Sequence, residues 1–286
     1  MKSCAAWIWV LVLGCGPQDT ATEFTIRINH DGEERTARVR LPDGLDGEKP
    51  VGVVLNFHGY LSNADQQASH TGLPDAAAKR GLVSVHPDGH RNSWNAGPTC
   101  CGDAKDSGTD DVGFVDKLLD EVGKRVTVDP KRVFALGLSN GGFFSYRLAC
   151  ERADRFAAIV SVAGVNGMKD CNPSRPVPLL HFHGTDDQIV KYEGGQYDFV
   201  GAEQSVSDWA ERLNCQGDPS ESLRQGEVHC DARSTCDGSS EAVLCTIDGG
   251  GHTWPGADEV PLLGHVTRDV DATEMALDFF EKHPMP

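Results

Sequence analysis

"DPKRVFALGLSNGGFFSYRLACE", Asp129 to Glu151, is the stretch whose reading decides the fold. After Asp129-Pro130 the apolar run "RVFALG" reads as a strand, and "GFFSYRLACERA" reads as the helix that follows it. Between them Gly137-Leu138-Ser139-Asn140-Gly141 matches G-x-S-x-G, set where a strand passes sharply into a helix. A side chain at either flanking position would obstruct so tight a turn, which lifts the serine hydroxyl clear of the sheet. At this point Ser139 is either a nucleophile or a small polar residue in a strand-to-helix turn.

Outward from this unit, strands and helices alternate. "FTIRI" and "RTARVRL" alternate apolar with polar residues and predict a β-hairpin turning at Asp31-Gly32. "VGVVLNF" is almost continuously apolar, as expected of a strand buried on both faces of a parallel sheet. "DAAAKRG" predicts a helix ending at Gly81, and "LVSVHPDG" the next strand with its exit loop. From Asp110, "DDVGFVDKLLDEVGKRV" carries apolar residues at 112, 114, 115, 118, 119 and 122, a helical face with an Asp start. Strands "AAIVSVAG" and "VPLLHFHG", a helix near "SVSDWAERLN", strand "EAVLCTI" and a last helix "ATEMALDFFEKH" follow. This alternation predicts one doubly wound, mostly parallel α/β domain over residues 24–286, with helices on both faces.

The 286 residues, 39% of them hydrophobic and 24% charged, suffice for one sizeable core. A formal net charge of −17 argues against nucleic acid as a partner, because phosphate contacts need clustered Lys and Arg. The opening "MKSCAAWIWVLVLGCGPQDTATE" has one Lys, an apolar run too short to span a bilayer, then small residues and Cys15. Residues 1–14 are expected to be a signal segment. Val12 to Cys15 resembles a bacterial lipobox in which Cys15 receives lipid, with 15–23 as a tether and the membrane reached only through that anchor. An ordinary secretory cleavage is the alternative, and the oligomeric state stays open. Either route leads outside the cytoplasm, where the eight remaining Cys would form disulfides. Spacing alone selects no pairing; the expected pairs are Cys150 with Cys171, Cys215 with Cys245, and Cys230 with Cys236. The adjacent Cys100 and Cys101 either form a vicinal bridge or stay reduced.

A serine hydroxyl is a poor nucleophile unless an imidazole removes its proton, and the imidazole needs a buried carboxylate to fix its tautomer. "IDGGGHTWPG" supplies His252 on a compact glycine-rich loop, and "LLHFHGTDDQIV" offers Asp186 and Asp187 just beyond an apolar strand. Backbone N–H groups of Asn140 and of Tyr60, after "LNFHG", are the candidate oxyanion donors.

With these residues in hand, six segments in order, "FHGY", "SWNAGPTCCG", "DDVGFV", "DPKRVFALGLSNGGFFSYRLACE", "HFHGTDD" and "GGGHTWPG", resemble the polyhydroxybutyrate depolymerase-like serine esterases. That group includes feruloyl and acetylxylan esterases, and the resemblance runs from about residue 24 to 283. It implies an α/β-hydrolase fold, the order Ser139, Asp187, His252 as the triad, and no cofactor. Asp187 is taken over Asp186 because the family's "HGTAD" aligns with "HGTDD"; Asp186 for Ala and Lys191 for Pro are departures. Tyr60 stands where many relatives carry Cys. The implied activity is hydrolysis of hydroxyalkanoate oligomer esters through an acyl-enzyme. The alternative is feruloyl or acetyl ester cleavage on plant cell-wall polysaccharide, and a second alternative is a non-catalytic binding lipoprotein on the same scaffold.

Trp94, Asn95 and Trp254 are candidate substrate contacts, since an exposed indole could pack on an apolar acyl group; filling a loop cavity is the competing role for each Trp. His181 and His183 share one face of a strand, and His86 and His90 flank "PDG", but none has the spacing of a hydrolase metal site, so no metal is expected. The acidic "DSGTDD" lacks EF-hand spacing and is expected to cap the following helix.

Overall fold

In a computed structural model, which describes residues 22–47 and 49–286, ten strands form a single sheet. The expected signal segment, Cys15 and the tether up to residue 21 lie outside the described residues. The strands are β1 (Glu23–His30), β2 (Glu33–Arg40), β3 (Val51–Phe57), β4 (Val83–Pro87), β5 (Val128–Leu138), β6 (Ala158–Val162), β7 (Leu179–Gly184), β8 (Ser220–Gln225), β9 (Val228–Arg233) and β10 (Ala242–Ile247). Their order across the sheet is β1-β2-β4-β3-β5-β6-β7-β10-β9-β8. The six from β4 to β10 run parallel, and antiparallel hairpins β1–β2 and β9–β8 flank them. The chain steps from β3 to β4 on one side and returns to β5 on the other. This makes a switch point beside β3 and β5, where open α/β sheets place their ligands beyond the carboxyl ends of the strands.

The helices are α1 (Ala64–Thr71), α2 (Leu73–Lys79), α3 (Gly102–Ser107), α4 (Asp111–Gly123), α5 (Asn140–Glu151), α6 (Ala202–Arg212) and α7 (Ala272–Lys282). β3, β4, β6, β7 and β10 are buried at every residue, so alternate side chains feed two cores. Val53, Leu55 and Phe57 join Phe114, Leu118, Phe144 and Trp209 of α4, α5 and α6 on one face. Val54, Leu136 and Phe182 meet Leu73 of α2 and Leu277 and Phe280 of α7 on the other.

The hairpin turns at Asp31 and Gly32, both at positive φ, and Asp110 caps α4 by accepting the Gly113 N–H at 2.9 Å. Three features carry no clear signal in the sequence. α1 turns Ala64, Gln67, Ala68 and Thr71 inward, and Gln67 donates to the Asn56 side chain at 2.9 Å, so no apolar stripe marks it. The short α3 follows the vicinal cysteines, and β8 is a charged edge strand without apolar alternation.

Two expected disulfides are corrected. Cys150–Cys171 forms, but the other pairs are Cys230–Cys245 and Cys215–Cys236. The antiparallel register of β9 on β10 sets Cys230 directly opposite Cys245, leaving Cys215, just past α6, to meet Cys236. Cys100 and Cys101 are bonded to each other.

Candidate active site

Four loops leave the carboxyl ends of β3, β5, β7 and β10 and bring the chemical groups to one edge of the sheet. Ser139 lies between β5 and α5 at φ 55°, ψ −122°, a backbone conformation a side chain rarely adopts. Glycines make that turn possible by close approach: a Cβ on Gly137 would lie 2.4 Å from the Gly141 backbone, and one on Gly141 2.1 Å from the Phe57 carbonyl oxygen. The turn is tied to β6 by Ser139 N–H donating to Val162 O at 2.8 Å.

Beyond β7, Asp187 is buried and its oxygens divide their work. Oδ1 accepts the N–H groups of Ile189 and Val190, each at 2.8 Å, and Oδ2 accepts Nδ1–H of His252 at 2.7 Å. His252 is buried too, on the loop after β10, where its N–H donates to Leu263 O at 2.7 Å. A neutral imidazole that donates through Nδ1 keeps Nε2 as an acceptor. Gly184 lets the two loops touch, since a Cβ there would meet the Gly250 carbonyl oxygen at 2.2 Å. Asp186 is exposed, as expected of the partner not chosen.

Ser139 and His252 line the same cleft, about 850 Å³ in volume, with Gly59, Tyr60, Leu61, Ile189, Val260 and Leu263 among its walls. Tyr60, Leu61, Ile189 and Val260 are partly or largely exposed, so the mouth is apolar. Tyr60 follows His58-Gly59, a segment held from behind. Gly89 N–H donates to His58 Nε2 at 2.9 Å, so the ring donates through Nδ1 to the Gly59 carbonyl at 2.8 Å. Burial lowers the His58 pKa, in keeping with that neutral tautomer. Among the described residues, the N–H groups of Tyr60 and Asn140 have no protein acceptor.

The three expected substrate contacts are corrected. Trp94 is fully buried: its indole N–H donates to His58 O at 3.0 Å and its ring stacks on Phe144 with centroids 5.2 Å apart. Trp254 is buried against α7, donating to Thr273 Oγ1 at 3.1 Å. Asn95 does not line the cleft; its N–H donates to Asp111 Oδ2 at 2.7 Å and its side chain to Thr109 O at 2.9 Å. Trp94 and Asn95 give buried loop carbonyls their partners, while Trp254 fills space against α7 and satisfies its own N–H there.

Sequence reasoning used only the backbone of Asn140. Its side chain is buried and clamps the Trp94 loop, accepting Trp94 N–H at 2.6 Å and donating to Trp94 O at 2.9 Å. Asp111 holds the same loop and pairs with buried Arg35 at 2.9 Å. Burial raises the Asp111 pKa, and Arg35 opposes that rise. One His–carboxylate cluster with ligand atoms within 4.8 Å of one another occurs among the described residues: His30, Asp31 and Asp110. None of these lines the Ser139 cleft.

The Esterase family model matches residues 28–232. Feruloyl esterase B of Piromyces equi is 35% identical over 236 residues, covering 76% of this chain and 42% of that protein. The bifunctional acetylxylan esterase/xylanase XynS20E of Neocallimastix patriciarum is 30% identical over 164 residues, covering 57% of this chain and 23% of that protein. The chain thus spans less than half the length of either relative. Among solved structures, acetyl xylan esterase from Aspergillus awamori superposes with a TM-score of 0.64 at 13% identity, over 90% of this chain and 99% of that one. That likeness is one of fold, and the fold is the α/β hydrolase. With the family model covering well over half of its residues, the chain belongs to the Esterase family.

Proposed function

We propose that the chain is a serine carboxylic ester hydrolase. Ser139 Oγ attacks the ester carbonyl carbon while His252 Nε2 takes its proton, and the Tyr60 and Asn140 N–H groups receive the developing oxyanion. The C–O bond to the alcohol then breaks, the alcohol leaves with the proton from His252, and water repeats the sequence on the acyl-enzyme. The observation that carries this reading is the buried Asp187–His252 hydrogen bond at 2.7 Å, opening on the cleft that Ser139 shares.

For substrate, we propose feruloyl esters of plant-wall polysaccharide. The apolar mouth of Tyr60, Leu61, Ile189 and Val260 offers a flat aromatic acyl group more contact than an acetyl group needs, and the Piromyces equi relative carries the feruloyl name. Acetyl esters are the second reading, favoured by the Neocallimastix patriciarum relative. Hydroxyalkanoate oligomers fall behind both, since the two relatives bear plant-wall names. Four disulfides support an extracellular site of action. Lipidation of Cys15 is proposed from its lipobox, and the mass of the mature N-terminus checks it.

The test is hydrolysis of methyl ferulate, p-nitrophenyl acetate and hydroxybutyrate oligomers by wild type and Ser139→Ala. A loss of about 10³-fold or more in the variant is expected, with methyl ferulate the preferred substrate. Equal rates in the two proteins, together with no fluorophosphonate label on Ser139, would leave the non-catalytic alternative standing.

A further inference from the structure

The two histidines of "HFHG" take no part in the chemistry above, yet both are buried beneath it. Tyr146 of α5 lies 2.9 Å from His181 Nδ1, His181 Nε2 lies 3.0 Å from His183 Nδ1, and His183 Nε2 lies 2.7 Å from the Val190 carbonyl oxygen. The same Nε2 is 3.5 Å from Asp187 Oδ2, the oxygen that receives His252.

The direction of this chain follows from its far end. A carbonyl only accepts, so His183 Nε2 carries hydrogen; its Nδ1 in a neutral ring must then accept, from His181 Nε2–H, and His181 Nδ1 must accept from the Tyr146 hydroxyl. Burial lowers the pKa of both rings, which keeps them neutral and the order intact. Every donor therefore runs from Tyr146 toward Val190 O, ending with the His183 N–H 3.5 Å from Asp187 Oδ2, and aligned hydrogen bonds polarise one another in a low-dielectric interior. The chain also grips Val190, whose N–H donates to Asp187 Oδ1.

We propose that Tyr146, His181 and His183 form a one-way hydrogen-bond chain that orients Asp187 and limits how strongly it holds the His252 imidazolium. They are positioning residues, and the proposal rests on the triad reading given above. Other groups face the chain. Ser205 and Arg212 of α6 lie beside Tyr146, and the Tyr192 ring meets His183 edge-on at 5.8 Å, its hydroxyl bonded to Thr246 at 2.8 Å and Glu203 at 3.3 Å. Asp187 and His252 lie beside His183, and Asp65, His70 and Asp258 line the cleft that His252 shares.

With the donors removed, Asp187 would attract the imidazolium more strongly, and the acid limb of the rate would move to higher pH. The experiment is the pH dependence of kcat/KM on a p-nitrophenyl ester for wild type, Tyr146→Phe, His183→Phe and His183→Gln, with Tm recorded for each. In His183→Phe the acid limb is expected to move up by about 0.5 pH unit or more. Tyr146→Phe, which needs no repacking, is expected to move it less in the same direction, and His183→Gln, which keeps a donor, to restore part of the shift. Should His183→Phe fail to fold, Tyr146→Phe decides alone. Acid limbs in the folded variants that coincide with wild type would overturn the chain while leaving the triad. A wild type with no acid limb, or no fluorophosphonate label at Ser139, would overturn the triad reading and the chain together.

Discussion

Around Ser139 what is held in place is main chain, whereas around Asp187 and His252 it is side chains. On the nucleophile side, Gly141 lies against Phe57 O, Gly164 against Ser139 O, and Asn140, Asp111 and His58 serve to fasten loop backbone. On the acid–base side glycines also bring the β7 and β10 exits together, but the orientation of the working groups comes from the two N–H donors on Asp187 Oδ1 and the imidazole on Oδ2. The contrast matches the proposed tasks. An oxyanion hole is made of main chain, so main-chain shape must be fixed; a proton relay is made of side chains, so their tautomers must be.

Substitutions on the two sides should therefore fail differently. The largest effect is expected from Asp187→Asn, which reverses the partner that His252 Nδ1 sees: kcat should fall about 10⁴-fold, while the melting temperature moves little. A large drop in melting temperature there would erase the contrast. Next comes Arg35→Met, which strands the buried Asp111 carboxylate under the Trp94 loop. Urea unfolding should show a loss of about 3–5 kcal/mol, read as a lower midpoint at unchanged m. Asn140→Ala is the smallest of the three, expected to cost about 1–3 kcal/mol of stability by leaving Trp94 N–H and C=O without partners. Its activity loss should track its stability loss on mild denaturation, and an activity loss at full stability would show that Asn140 acts on the reaction itself.

Much of this was legible in the sequence, for reasons that differ by residue. β3 and the second half of β5, from Val133, announce themselves because strands buried on both faces are continuously apolar, and Ser139 follows from the strand-to-helix glycine pattern. Ser139, Asp187 and His252 do lie on one edge, each beyond a parallel strand. Trp94, Trp254 and Asn95 were misplaced because an aromatic or amide in a loop reads the same whether it faces solvent or plugs the loop from beneath. Cys150–Cys171 was read correctly, and the other two cysteine pairs failed for a related reason. Cys230 and Cys245 are joined by the register of β9 on β10, and β9 pairs with a strand, β8, whose charged sequence hides the hairpin.

That same β8 bears on how the protein behaves when crowded. Among the described residues the ten-stranded sheet ends at β1 and β8 in two rows of backbone donors and acceptors, each a template on which a neighbouring molecule could add a strand. "SESLRQ" leaves all but Leu223 exposed, with Glu221 and Arg224 projecting from the rim, and β1 at the far rim turns Arg27 and Asn29 to solvent. Charge at both rims sets a desolvation cost against growth of one sheet into the next, a safeguard against fibre formation at high protein concentration.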